Sequence, residues 1–192
     1  MFDNIKADLR HGLLVNHKGL SRWKACAAQF FHPGTQAVLV YRLGRWASQL
    51  RIPIVRHLLL AVYYPLKYGV RVFTGVNIPT SAEIGGGLVI HTWSGVYIPA
   101  CRIGRNAYFQ HGVVVGYGCL GIGDDVYFGP GCKVIRPVRI GDRARIGANA
   151  VVIEDVPDDC TVAGIPARIV KGPGIERQPG AVEEENAADG PL

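Results

Sequence analysis

From residue 78 onward an apolar side chain returns every six positions: Ile78, Ile84, Ile90 and Val96, then Ile103, Phe109 and Val115. The run continues through Ile122, Phe128, Val134, Ile140, Ile146 and Val152. One-residue slips before Ile103 and before Ile122 interrupt the period. Six residues per short strand and turn, three such units per coil, predict a triangular solenoid whose aliphatics point inward and stack coil on coil. The fold class is therefore mainly β, a parallel β-helix of hexapeptide repeats. Known solenoids of this period run left-handed, an exception to the usual crossover rule.

Ile-Gly pairs at Ile84-Gly85, Ile103-Gly104, Ile122-Gly123, Ile140-Gly141 and Ile146-Gly147 mark the repeat. They account for the glycine excess, 25 of 192 residues, nearly twice the usual ~7%. The corners of a coil need backbone conformations that a Cβ resists. A phosphate-binding loop is excluded, because Gly85-Gly86-Gly87 has no following lysine and no dinucleotide fingerprint follows a strand.

The front third reads differently. His32-Pro33-Gly34 marks a turn with Thr35 as the expected N-cap. Val38, Leu39, Arg42, Leu43, Trp46 and Leu50 then recur at helical spacing. Arg51-Ile52-Pro53 breaks this helix, and Pro53 opens a second one with Ile54, Val55, Leu58, Leu59 and Val62 on one face. Charge follows the same division. Residues 1–76 carry 11 Lys/Arg against 2 Asp/Glu, residues 77–172 carry 9 against 8, and the last 20 carry 1 against 5. The expected organisation is a basic α-helical domain over 1–75, a β-helix over 76–172 and a disordered acidic tail over 173–192.

Basic residues in the front third do not alternate with aromatics as a stacking platform requires, so nucleic acid is not an expected partner. The apolar stretch from Ile54 to Phe73 is interrupted by Arg56, His57, Pro65, Lys67 and Arg71, which rules out a spanning helix. The favoured reading is then a soluble helix with a solvated basic face, and the alternative a basic amphipathic surface in peripheral contact with an anionic membrane. Five cysteines, odd in number and never spaced as CxxC, fit a reducing cytoplasm and predict no metal site. The expected location is cytoplasmic, with the inner membrane face as an extension.

Three segments resemble the serine acetyltransferase family of hexapeptide acyltransferases: FHPGTQAVLVYRLGRWA, VFTGVNIPTSAEIGGGLVIH and RIGANAVVIEDVPDDCTVAGIPARIVKG. The resemblance runs from about residue 30 to 172. It implies a helical domain on a left-handed β-helix, a homotrimer or a dimer of trimers, and acetyl-CoA along the groove between neighbouring subunits. It assigns acetyl-CoA to Gly147, Ala148, Ala163, Gly164, Pro166, Arg168 and Lys171, the last two near its phosphates. It also implies direct transfer, in which a histidine removes the acceptor hydroxyl proton and the oxygen attacks the thioester.

The sequence departs from the family where the base is carried. Aligned on Trp93 and Gly95, Thr92 occupies the base position and His91 sits one place early. The acidic partner of the base is replaced by Asn77, and the family's Arg-His loop is cut to Tyr117-Gly118-Cys119-Leu120. His111 lies two residues after Phe109, which is in register with Ile90. It should therefore stack on Thr92, about 4.8 Å along the solenoid. The candidate catalytic residues are His111 and His91; Thr92, Trp93 and Asn77 are the candidate acceptor contacts. His91, beside an inward aliphatic, should point outward, while His11, His17, His32 and His57 read as structural or surface residues.

A site without those charges suits a zwitterion poorly, since an unpaired buried polar partner costs about 1–3 kcal/mol. His111-Gly112-Val113-Val114-Val115-Gly116 resembles a strand of the exopolysaccharide O-acetyltransferase branch, whose members acetylate sugars. The expected activity is thus acetyl-CoA-dependent O-acetylation of a small-molecule or lipid-linked sugar. Serine O-acetylation and a catalytically silent trimeric scaffold are the alternatives. A sulfhydrylase partner on the tail is not expected, because docking members end in isoleucine and this tail ends in Leu192.

Overall fold

The computed structural model describes residues 2–16, 22–91 and 95–173. Four helices open the chain: α1 (Phe2–Asn16), α2 (Arg22–Phe31), α3 (Pro33–Ser48) and α4 (Pro53–Thr74). Proline stands in the first turn of both α3 and α4, where its missing N–H costs nothing. The N-cap of α3 is His32, not Thr35: the His32 Nδ1 accepts from the Gly34 N–H at 3.2 Å. Thr35 is buried instead, its hydroxyl accepting from Gln29 Nε2 at 2.7 Å. Gly75, left-handed at φ 67°, closes α4 by donating to the Arg71 carbonyl.

Fifteen short strands follow on three faces. The first face carries β1 (Val76–Asn77), β4 (Val96–Tyr97), β7 (Val114–Val115), β10 (Lys133–Val134) and β13 (Val151–Val152). On the second lie β2 (Glu83–Ile84), β5 (Arg102–Ile103), β8 (Gly121–Ile122) and β11 (Arg139–Ile140). The third holds β3 (Val89–Ile90), β6 (Tyr108–Phe109), β9 (Tyr127–Phe128), β12 (Arg145–Ile146), β14 (Thr161–Ala163) and β15 (Arg168–Lys171). All pairings are parallel except β14 with β15, which closes the third face. The β-helix read from the six-residue period is the architecture found.

Ile90 pairs with Phe109 and Phe109 with Phe128, whose rings stack at 4.5 Å and 6°. Every repeating apolar residue from Ile78 to Val152 is buried. A second inward layer lies two residues before them, at Ala82, Ala107, Val113, Val126, Ala144 and Ala150. Cys101, Cys132 and Cys160 fill the same small positions, so they act as compact hydrophobes.

Helix α3 joins the helices to the solenoid. Tyr41 donates to the Ala82 carbonyl at 2.8 Å, Arg45 pairs with Glu83 at 2.9 Å, and Arg42 meets Asp8 at 2.9 Å. Gly34 lies so close to the Ile90 carbonyl that no Cβ would fit there. The expected apolar face of α4 is not a buried one. Tyr63 and Thr74 are its buried residues, and Ile54, Val55, Leu58 and Val62 stand in the open.

Candidate active site at the corner between the third and first faces

The residue after each inward aliphatic of the third face forms one column: His91, Gln110, Gly129, Gly147 and Ala163. Backbone bonds fix it, His91 N–H to Phe109 O at 2.8 Å, Gln110 to Phe128 at 3.1 Å, Gly129 to Ile146 at 2.8 Å and Gly147 to Val162 at 2.7 Å. The next column runs through His111, Pro130, Ala148 and Gly164. Both candidate histidines and four of the expected acetyl-CoA contacts therefore meet at one corner, on adjacent columns. Thr92 and Trp93 lie outside the described residues, as does the chain beyond residue 173.

The two histidines differ in setting. His111 is exposed, and its carbonyl accepts from Gly131 at 2.9 Å. Gly112, at φ 71°, turns the chain back directly after it. His91 is half-buried rather than a solvated surface residue. Its Nδ1 is out of reach of solvent and finds no hydrogen-bond partner among the described residues. Its ring lies 5.4 Å from that of His32, because α3 begins directly over Ile90. Two other front histidines serve the fold: His11 donates to the Gly87 carbonyl and His57 to that of Pro53, each at 2.6 Å, while His17 lies outside the described residues.

Asn77 is not brought into these columns. It lies on the first face beside Tyr97, its carbonyl accepting from Ile98 at 3.0 Å. Arg168 is opposite Ala163, near the corner, but its guanidinium reaches Glu154 at 3.3 Å. It lines a cavity of about 310 Å³ with Glu154, Asp155 and Ile169. Lys171 is exposed and opposite Thr161, at the far edge of the strand. Pro166 is exposed beside the bare turn at Gly164.

Three neighbours of the corner escape the six-residue pattern. Tyr108 and Tyr127 stack at 5.3 Å and 11°, and the Arg145 guanidinium lies 5.1 Å over the Tyr127 ring. Gln110 Nε2 donates to the Tyr127 hydroxyl at 3.3 Å. Their signal was the Tyr-Phe pair repeated 19 residues apart, which puts an aromatic on the outer side of each strand. Neither column contains a carboxylate. A cleft of about 550 Å³ between α3 and the second face is lined by Trp46, Gln49, Arg102 and Arg105, with no histidine in its lining.

A parallel hexapeptide solenoid with histidines at a glycine-lined corner defines an acyltransferase of the hexapeptide class. Residues 121–154 match the bacterial transferase hexapeptide (six repeats) family. Serine acetyltransferase from Synechococcus elongatus is 32% identical over 93% of this chain and 72% of its own length. That from Mycobacterium tuberculosis is 36% identical over 73% of this chain and 62% of its own. The chain belongs to the serine acetyltransferase family. Among solved structures, Neisseria gonorrhoeae serine acetyltransferase superimposes with a TM-score of 0.71 at 26% identity, covering 89% of this chain and 65% of that one. The same protein in complex with serine gives 0.70 at 25%, over 88% and 69%. A serine acetyltransferase complexed with CoA gives 0.69 at 25%, over 88% and 68%. The chain thus spans about two thirds of the length of these relatives.

Proposed function

We propose that the protein transfers the acetyl group of acetyl-CoA to the side-chain hydroxyl of serine, with His111 as general base. The observation that carries this reading is the relationship to serine acetyltransferases over nearly the whole chain, supported by structural relatives that bind serine and CoA. It takes precedence over the sugar acceptor expected from the departures around the base and the likeness to the exopolysaccharide branch.

The exposed imidazole of His111 would take the proton of the serine Oγ as that oxygen attacks the thioester carbonyl carbon. The carbon–sulfur bond then breaks, and the imidazolium returns its proton to the departing thiolate. The products are O-acetylserine and CoA. Histidine fits because an alcohol cannot attack unaided near neutral pH. The corner fits a pantetheine arm, because Gly129, Gly147, Ala148, Ala163 and Gly164 leave the backbone bare along two columns. A Cβ on Gly129 would come within 2.8 Å of the Ala148 nitrogen. Arg168 would reach the phosphates on release from Glu154, with Pro166 and Lys171 on the same closing segment. A neighbouring copy in a homotrimer, or in a hexamer of two trimers, would form the other wall.

A second reading, a neutral polyol or sugar acceptor, is favoured by one observation: neither corner column carries a carboxylate that could meet a serine ammonium. Thiol release from acetyl-CoA, measured with L-serine and with a panel of free sugars, separates the two. Turnover with serine well above that with any sugar is expected. Turnover with sugars alone would replace serine as the acceptor, and no turnover with either, with unchanged acetyl-CoA hydrolysis in H91A and H111A, would leave a silent scaffold.

A further inference from the structure

We propose that the solvent side of α4 is a docking face for an anionic lipid surface, on which the helix lies in the plane of the headgroups. The helix has 22 residues, about 33 Å at 1.5 Å per residue. Ile54, Leu58, Val62 and Leu66, each four residues from the last, form an open row with relative exposures of 79%, 68%, 54% and 46%. Val72 and Phe73 continue the apolar side at 62% and 89%. A helix so apolar on its outer side is unfinished as an isolated surface.

The border of this face identifies its occupant. Tyr64 and Tyr68 flank the apolar row on one side, at 62% and 71% exposure. Beyond them, at helical spacing, come Arg56, Lys67 and Arg71. Apolar side chains, then tyrosine, then lysine and arginine is the order in which a bilayer passes from acyl chains through the interface to phosphate. No aspartate or glutamate occurs between residues 9 and 82. Lys67, partly buried over the Tyr63 ring at 5.8 Å, has its pKa lowered by burial and by the neighbouring Arg71 charge. Lys67 and Arg71, two cations on successive turns, have no carboxylate partner among the described residues. A second copy docked face to face would set these basic rows against each other with no acid between them. No described helix is long and apolar enough to cross a membrane, so the helix lies on the surface.

The full chain is pelleted with vesicles of phosphatidylglycerol and phosphatidylcholine in about equal parts, and separately with phosphatidylcholine alone. Binding to the first and not to the second is expected. Each lost charge in R71Q and K67Q should weaken it about fivefold, corresponding to ~1 kcal/mol per basic residue near an anionic surface. L58E should abolish it, and a thermal melt of L58E matching the wild type shows that the fold is intact. Light scattering without lipid reads particle mass for each variant. Equal binding to both vesicles, no binding to either, or a smaller particle for L58E would overturn the proposal, the last showing a protein–protein face. None of these readouts depends on which acceptor is acetylated.

Discussion

Asp8 and Arg42 are each 4% exposed and joined by two hydrogen bonds, Nε to Oδ2 at 2.9 Å and Nη2 to Oδ1 at 3.1 Å. Arg42 also donates to the carbonyls of Ile84 and Gly85, and Asp8 accepts from the N–H groups of Gly87 and Leu88. One buried pair thereby ties α1 and α3 to the first coil of the solenoid and satisfies the backbone of a glycine-rich turn.

Removing one partner should cost more than the attraction it supplied, because the other charge stays buried. D8A is expected to destabilise by about 3–5 kcal/mol, with R42A similar. Chemical denaturation followed by circular dichroism measures this. A loss below about 1 kcal/mol would mean that water reaches the pair.

Three of the five Ile-Gly pairs have a cause beyond turn geometry. Asp124 Oδ1 accepts from the Arg105 N–H at 2.7 Å, Asp142 from Asp124 at 2.8 Å and Asp158 from Asp142 at 2.8 Å. Each carboxylate passes over the glycine one coil before it, Gly104, Gly123 or Gly141, where a Cβ would overlap it. G104A should therefore cost about 1–3 kcal/mol through overpacking.

The same ladder gives a pH signature. The Arg105 N–H first, and then its guanidinium, hold the Asp124 carboxyl below its ordinary 3.8. A depressed folded value means that the group stabilises above about pH 3.8 and loses that contribution as pH falls through the folded value. D124N should melt below the wild type at pH 7, and the gap should close on acidification below pH 3.8. A gap constant from pH 7 to 3 would place the stabilisation in packing instead.

Tyr63 makes the opposite prediction. It is 1% exposed, its hydroxyl has no partner among the described residues, and burial pushes its pKa up to about 12. The ring packs on Gly44 and lies under Lys67, contacts that phenylalanine keeps. Y63F should recover about 1 kcal/mol, raising the melting temperature by about 2–4 °C for a chain of this size. A lower melting temperature would mean that the hydroxyl has a bound partner.

The solenoid was legible because its core needs one apolar residue per strand, and Ile78 to Val152 supply it at a fixed period. The corner was legible in part: the register from Ile90 to Phe109 puts His91 and His111 on adjacent columns, one coil apart. What escaped came from contacts between distant segments. His91 is half-buried because α3 begins over it, and nothing local to Ile90-His91 carries that information. Thr35 looked like a cap, yet His32 reaches Gly34 first and frees Thr35 for Gln29. The apolar row of α4 misled because hydrophobic spacing marks a face that seeks cover, not the element that provides it.

The roles of the two histidines separate in kinetics. If His111 is the base, H111A should lower kcat about 10²–10⁴-fold, the usual contribution of a positioned proton acceptor. The apparent affinity for acetyl-CoA should hold, since Gly147, Ala148 and Gly164 lie one coil or more from it. H91A should act mainly through the acceptor, raising its KM while leaving most of kcat, because His91 is wedged against His32 and exposes only part of its ring. Steady-state rates of thiol release with serine as the varied substrate give both constants. The converse pattern, kcat lost in H91A and kept in H111A, would move the proton acceptor one column back, to the half-buried ring under α3.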